Sequence, residues 1–394
     1  LAAIITRRPH VFDGLLDPML LSELPNKEYL SGRLTAFLEG VTLHEEILDR
    51  LRIFASEQKF LIGVRLLTGS IDATRAGKAF SDLADLTIGT ALDAVQAEFA
   101  VRHGKVPGGE IALLGMGKLG SRELTAGSDV DMILLYRHDA DAEESSGEKP
   151  LAPSLYYARL TQRLIAAVSA PTAEGVLYEI DLRLRPSGNK GPVATHLDAY
   201  SKYQREEAEI WEHMAMTRAR VIAGDGALDK AVSGEIAAVL AKGEAATKVF
   251  KEARQMRALI EQEKPPRDLW DLKLVPGGLI DLEFIAQVAV LTGKVTTQPH
   301  PTGTADALRA LSADFADAQV SDELVDAHRL YSLVTQIIRL CLDGSFDAKD
   351  APPGLIDLLC RAADVPELKV LEAQLKDTTR DVRRHFDALL KQPR

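Results

Sequence analysis

Cysteine is almost missing from this sequence. Cys341 and Cys360 are the two thiols in 394 residues, in no CxxC or other ligand spacing, so neither a disulfide framework nor a zinc site is expected and a reducing, cytoplasmic location fits. No apolar stretch reaches the roughly 20 residues that span a bilayer, no signal peptide is visible, and no membrane association is expected. A basic stripe is lacking too: Lys and Arg number 47 against 58 Asp and Glu, for a net charge of −11. Nucleic-acid phosphates would be repelled by that surplus, so no nucleic-acid partner is expected. There is no GxxxxGK[ST] loop, and HEEIL at His44 has Leu48 where a zinc-protease motif needs its second histidine. The chain begins at Leu1 rather than Met, which reads as a piece cut from something longer. What remains is an ordinary globular composition, 46% hydrophobic and 27% charged, long enough for two or three domains.

The most informative stretch runs from Glu110 to Tyr136, EIALLGMGKLGSRELTAGSDVDMILLY. A buried strand feeds a glycine turn, and a second strand opens on Asp129 and Asp131. Residues i and i+2 of a strand share a face, so the two carboxylates leave the sheet side by side, close to Gly117, Lys118 and Gly120. An acid-x-acid pair alone means little, since 58 acids in 394 residues give roughly eight such pairs by chance. The setting raises this one: Val130, Met132, Ile133, Leu134 and Leu135 form the kind of run that is buried on both faces of a sheet. Two fixed carboxylates beside a basic glycine loop suit a divalent metal that carries a nucleoside triphosphate.

Gly115, Gly117 and Gly120 also spell GxGxxG after a strand, the dinucleotide fingerprint. That reading fails on spacing, because only Ser121 to Ser128 separate the last glycine from the next strand, too few residues for a crossover helix. A third carboxylate comes from Leu177 to Pro186, LYEIDLRLRP, which alternates as a strand would. Tyr178, Ile180, Leu182 and Leu184 then point one way, and Glu179, Asp181, Arg183 and Arg185 the other. The bland reading turns those charges to water. The functional one lets Asp181 complete a metal site and lets the arginines bind phosphates.

An α+β, predominantly helical fold is expected. Residues 1–103 read as a helical region, with Leu43, Ile47, Leu48, Leu51 and Phe54 on one helix face and Leu92, Val95 and Phe99 on another. Residues 104–225 hold the strands, an acidic loop from Asp141 to Pro150 expected to be a mobile surface segment, and a helix over Tyr156–Val168. Residues 226–394 read as a helical bundle, with long helices at 246–263, 280–292, 321–342 and 366–391 and Ser321 as an N-cap. Asp281 and Glu283 follow a glycine pair at a helix start, where acids meet the helix dipole favourably, and a structural role is expected.

The combination of GMGKLGSREL…SDVDMILLY, LYEIDLRLRPSG, WEHMAMTRARV, GGLIDLEFIAQ and the opening RRPHVFDGLLDP resembles the glutamine synthetase adenylyltransferase family, a branch of the polymerase-β-like nucleotidyltransferases. Members carry two related units, one removing and one attaching AMP. LRPSG and WEH resemble the attaching unit, which implies that the removing unit is missing here. By this resemblance Asp129, Asp131 and Asp181 are the metal-binding and catalytic carboxylates. Gly117, Lys118, Gly120, Ser121, Ser128, Arg183 and Arg185 are the implied nucleotide-binding residues, with Lys118 where the wider superfamily has Ser and Ser121 where this branch more often has Gly. The resemblance implies ATP as substrate and Mg²⁺ or Mn²⁺ as the ion. It also implies glutamine synthetase as protein substrate, and glutamine and the PII signal protein as effectors. Two rival expectations are phosphorolytic removal of AMP and a non-catalytic scaffold that binds PII or glutamine.

Overall fold

The computed structural model describes residues 26–342 and 344–391; the RRPHVFDGLLDP segment lies outside them. Three helices come first: α1 (Lys27–Leu38), α2 (His44–Leu67) and α3 (Ala73–His103). Asp72 caps α3 by accepting from Arg75 N at 2.7 Å, and Gly104 ends it with φ +66°, a left-handed conformation that glycine adopts without a Cβ penalty. The sheet region follows as β1 (Glu110–Gly115), α4 (Gly117–Gly120), β2 (Val130–Arg137), α5 (Pro153–Ser169), β3 (Ile180–Asp181), β4 (Ala194–His196), α6 (Leu197–Glu206), α7 (Ile210–Met216) and β5 (Arg220–Gly224). Seven helices complete the described chain: α8 (Gly226–Lys242), α9 (Ala246–Glu263), α10 (Leu279–Leu291), α11 (Thr304–Arg309), α12 (Ala318–Cys341), α13 (Pro353–Ala362) and α14 (Leu368–Leu389).

β2 and β1 pair antiparallel from Glu110↔Arg137 to Gly115↔Met132, and β5 lies antiparallel on the other side of β1. That hairpin excludes a dinucleotide fold, which needs a parallel pair joined by a crossover. Along the free edge of β2 lie two short parallel strands, β3 beside its start and β4 beside its end. Alternation then divides the core. Ile111 and Leu113 of β1 and Met132, Leu134 and Tyr136 of β2 pack with α2, α3 and α5. Ala112, Leu114, Ile133 and Leu135 pack with the C-terminal helices. The sheet is a wall between two apolar cores, which is why β2 is apolar at nearly every position.

The expected helical stretches are present within a few residues, and Gly226–Lys242 and Pro353–Ala362 are helices that the periodicity did not single out. Three local expectations are corrected. Ser321 is not an N-cap: α12 starts earlier, Asp317 accepts from Val320 N at 2.9 Å, and the Ser321 hydroxyl donates to Leu308 O at 2.6 Å. The 141–150 loop is not a free segment either. Ser145 is buried, and backbone N–H groups of Ser146, Gly147 and Lys149 donate to carbonyls of Lys105, His103 and Arg102 at 3.0 Å. LYEIDLRLRP, finally, is a strand only at Ile180–Asp181. The chain turns at Arg183, so Ile180 and Leu182 pack on the α3 side of the sheet and Leu184 on the bundle side.

Candidate active site

β1 ends at Gly115, and Met116 N donates to Asp131 O at 2.9 Å, which carries the chain from the strand into the single turn of α4. Gly117 sits there with φ +52°. A Cβ at this position would collide with the Asp131 carboxylate, so the turn lies directly against that acid. Asp131 shares its face of β2 with Ile133 and Leu135, the side toward the C-terminal bundle. Across the β2–β3 edge its register partner is Asp181, about 4.8 Å away at the backbone for neighbouring strands. Asp129 is exposed, one residue before β2.

The electrostatics follow from this crowding. Burial, then Asp129 and Asp181, push the Asp131 carboxyl up to about 6, against an opposing pull from Arg218 and Lys273. Carboxylates that repel one another in a partly buried place suit a cation, so this donor set fits a divalent ion. The side chains are not drawn together around one, however. Among the described residues no three His, Cys, Asp or Glu side chains gather closely enough to hold a metal. Arg183 N and Nε donate instead to the Asp181 carboxylate at 2.8 and 2.7 Å and hold it below the usual carboxylate range. The register brings Asp181 to Asp131, and Arg183 occupies the oxygens an ion would use.

The other sequence candidates divide. Lys118 is half-buried; burial pushes its amine down to about 8, with the Glu283 carboxylate pulling the other way. It lines a cavity of about 490 Å³ with Glu123, Glu283, His300 and His328. Neither this cavity nor a larger one of about 800 Å³, between the α2–α3 turn and α12–α14, has any of the three carboxylates in its wall. Gly120 is a packing glycine, because a Cβ there would run into the Arg218 carbonyl oxygen. Ser121 is buried, accepting from Arg218 Nη2 and donating to Glu123 Oε2, both at 2.8 Å. Ser128 serves its own turn, with its hydroxyl 2.8 Å from Thr125 Oγ1 and accepting from Thr125 N at 3.1 Å. Arg185 is buried and gives its donors to Leu182 O at 2.9 Å and Gly191 O at 3.3 Å, closing its own loop. Asp281 is fully buried on Arg257 and Gly277 N, the structural role expected of it, whereas Glu283 pairs with Arg218 at 3.0 Å.

Residues 1–235 match the family model of glutamate-ammonia ligase adenylyltransferase. The chain belongs to this family. Residues 254–390 match a second model, described as GlnD PII-uridylyltransferase. The bifunctional glutamine synthetase adenylyltransferase/adenylyl-removing enzyme of Mesorhizobium japonicum is 69% identical over 391 residues, which cover 99% of this chain and 40% of that relative. Relatives with the same name from Brucella suis and a Bradyrhizobium strain are 62% and 42% identical, at the same coverage of both chains. The chain thus spans about two fifths of the length of these curated relatives. Within this adenylyltransferase-family chain, sequence reasoning passed over the cations that face Asp131. Arg218 stands in the quoted WEHMAMTRARV motif and Lys273 in DLKLVPGG. The first signal was visible, but nothing in its spacing says which acids it meets.

Proposed function

We propose that this chain transfers AMP from ATP to a tyrosine hydroxyl of glutamine synthetase and releases pyrophosphate, with Asp129, Asp131 and Asp181 as the metal-binding catalytic carboxylates. The observation that carries the reading is the pairing of Asp131 with Asp181 across β2 and β3, with Gly117 pressed against the first of them. Family membership and the printed names of the relatives support it.

Mg²⁺, or Mn²⁺ in its place, would supply a Lewis acid that draws charge from the triphosphate and from the attacking oxygen. The chain's own residues do the rest. Asp129, Asp131 and Asp181 would hold the ion, and Asp181 would also orient the incoming phenol. With an ordinary pKa of about 10, that phenol is a poor nucleophile at neutral pH until its proton is drawn off. Gly117 lets the turn approach the phosphates, and Lys118 offsets their charge from within a half-buried site, where the interaction is stronger than in water. Arg183, which bonds Asp181 here, would be free to offset charge on the leaving pyrophosphate if an ion took that carboxylate. With its proton passed to solvent, the phenolate oxygen bonds to the α-phosphorus as the bond from that phosphorus to the α–β bridging oxygen of ATP breaks, and pyrophosphate leaves with that oxygen.

The relatives' names also carry an adenylyl-removing activity, so the direction needs its own test. Incubation with Mg-ATP and unmodified glutamine synthetase should give one pyrophosphate per AMP bound to tyrosine. Incubation with AMP-modified glutamine synthetase and phosphate should give no ADP. Robust ADP release without AMP incorporation would assign the chain to removal instead. Glutamine and the PII signal protein are proposed as effectors on the family resemblance; effects of each on the rate of AMP transfer are the check.

A further inference from the structure

α4 is four residues long, too short to hold its own shape, since a single helical turn is unfavourable in isolation and leaves its last carbonyls without partners inside it. The N–H groups of Ser121, Glu123 and Arg122 donate in turn to Gly117 O, Lys118 O and Leu119 O, and a side chain from outside the turn adds bonds to Leu119 O and to Gly120 O. Arg220 opens β5 opposite Gly115, and its Nε and Nη2 donate to Gly120 O at 3.2 Å and Leu119 O at 3.0 Å. The same guanidinium makes a bidentate pair with Asp85 of α3 at 2.7 and 2.8 Å, and that carboxylate is 1% exposed. Arg218, two residues earlier, holds the chain just past the turn. Its Nη2 bridges Ser121 Oγ and Glu123 Oε2 at 2.8 and 2.9 Å, and its Nη1 reaches Glu283 of α10 at 3.0 Å. Glu123 in turn accepts from Thr304 N at 2.7 Å and Thr304 Oγ1 at 2.9 Å, at the start of α11. The Arg218 backbone itself presses on Gly120.

We propose that Arg218 and Arg220 are positioning residues for AMP transfer, seating the glycine turn against Asp131 from two sides without touching substrate. Arg220 fixes the turn to the N-terminal helices through Asp85, and Arg218 fixes it to the C-terminal bundle through Glu283. The triphosphate seat is thereby built from three parts of the chain. The inference rests on the adenylyl-transfer reading and deepens it: the two arginines of the TRAR segment, Thr217–Arg220, belong to the same site as the carboxylates.

The test uses the full chain with Arg220→Lys, Arg218→Lys and the isosteric Asp85→Asn and Glu283→Gln, which keep the shape of the site where a lysine variant fails to fold. Each is assayed with varied Mg-ATP at saturating glutamine synthetase, for binding of a fluorescent ATP analogue, and for thermal unfolding. Arg220→Lys should raise the KM for Mg-ATP about tenfold and weaken the analogue in proportion, with kcat falling less. Asp85→Asn and Glu283→Gln, which loosen the arginines but leave their bonds to the turn, should raise it about threefold. Arg257→Lys, a buried arginine that makes no bond to the turn, should lower the melting temperature at unchanged KM. Folded variants that melt earlier but keep the wild-type KM and analogue affinity would show the arginines to be structural ties only and overturn the inference. A wild-type chain that neither binds nor uses Mg-ATP is a different failure: it overturns the adenylyl-transfer reading, and the inference with it.

Discussion

Two acid pairs in this chain have the same spacing and opposite fates. Asp129 lies just before a strand and Asp131 is its second residue, in extended chain where a step of two residues returns to the same face. Asp281 and Glu283 lie on α10, where the same step turns a side chain about 200° round the axis. Asp281 therefore enters the core, fully buried on Arg257, Gly277 N and Arg383, while Glu283 reaches the other way to Arg218. The fixed cations also differ. Burial raises both carboxyls, but Asp281 is bonded directly to counter-charge in the fold, whereas Asp131, pushed up to about 6, has the Asp129 and Asp181 carboxylates adding to the effect of burial. A buried acid neutralised by arginines is a tie. A crowded acid beside a glycine turn is where the proposed cation would sit.

Exchanging charge for a neutral group should separate the two pairs. Asp131→Asn should cost about 10³-fold or more in AMP transfer with no loss of thermal stability, because it removes a repelled charge; an unfolded variant, or one near wild-type activity at saturating Mg²⁺, breaks the distinction. Asp281→Ala should do the reverse. It should destabilise the fold by about 3–5 kcal/mol, the penalty for stranding a buried partner, with the folded fraction keeping its KM for Mg-ATP; denaturant titration reads the first quantity and steady-state kinetics the second.

Gly117→Ala falls between them. The left-handed backbone costs roughly 1–2 kcal/mol for an L-residue, and the new Cβ displaces the Asp131 carboxylate, so stability and turnover should fall together. The smallest effect is a pH dependence. The Asp131 carboxyl is raised from its ordinary value of 3.8 to about 6, so the metal-free native chain binds more protons than the unfolded one between those values. Its contribution to stability is full below the lower value and lost as pH rises through the upper. Melting temperatures in chelator should therefore drop more from pH 4 to 7 for wild type than for Asp131→Asn, and Mg²⁺ should narrow that gap.

β2 was legible in the sequence because burial on both faces writes itself as an apolar run, and Asp129 and Asp131 stood out against it. The absence of a crossover was equally legible from the short Ser121–Ser128 spacing. Asp181 was a candidate by resemblance, and the register of β3 does set it opposite Asp131. The alternation pattern misplaced Leu184 and Arg185, since alternation in the letters continues past the point where Arg183 N bonds Asp181 Oδ1 and turns the chain. Ser121 and Ser128 look like phosphate-binding hydroxyls in sequence. Their partners, Arg218 and Thr125, are settled by tertiary packing and a local turn that residue type does not specify. Arg218 and Lys273 were missed for the same reason: the acid they face is set by how the bundle docks on the sheet.

Glu123, just past the glycine turn, finds its partners at Thr304 and His328. A ribosome adding roughly 5–20 residues per second needs on the order of 10–40 s to travel from one to the other. During that interval the strands and their carboxylates already exist, while the bundle-side half of the clamp has yet to be made. A nascent chain of this protein therefore carries an acidic, incompletely seated glycine turn until the helices that bear Thr304 and His328 emerge, so the turn and the bundle side of its seat are made at different times.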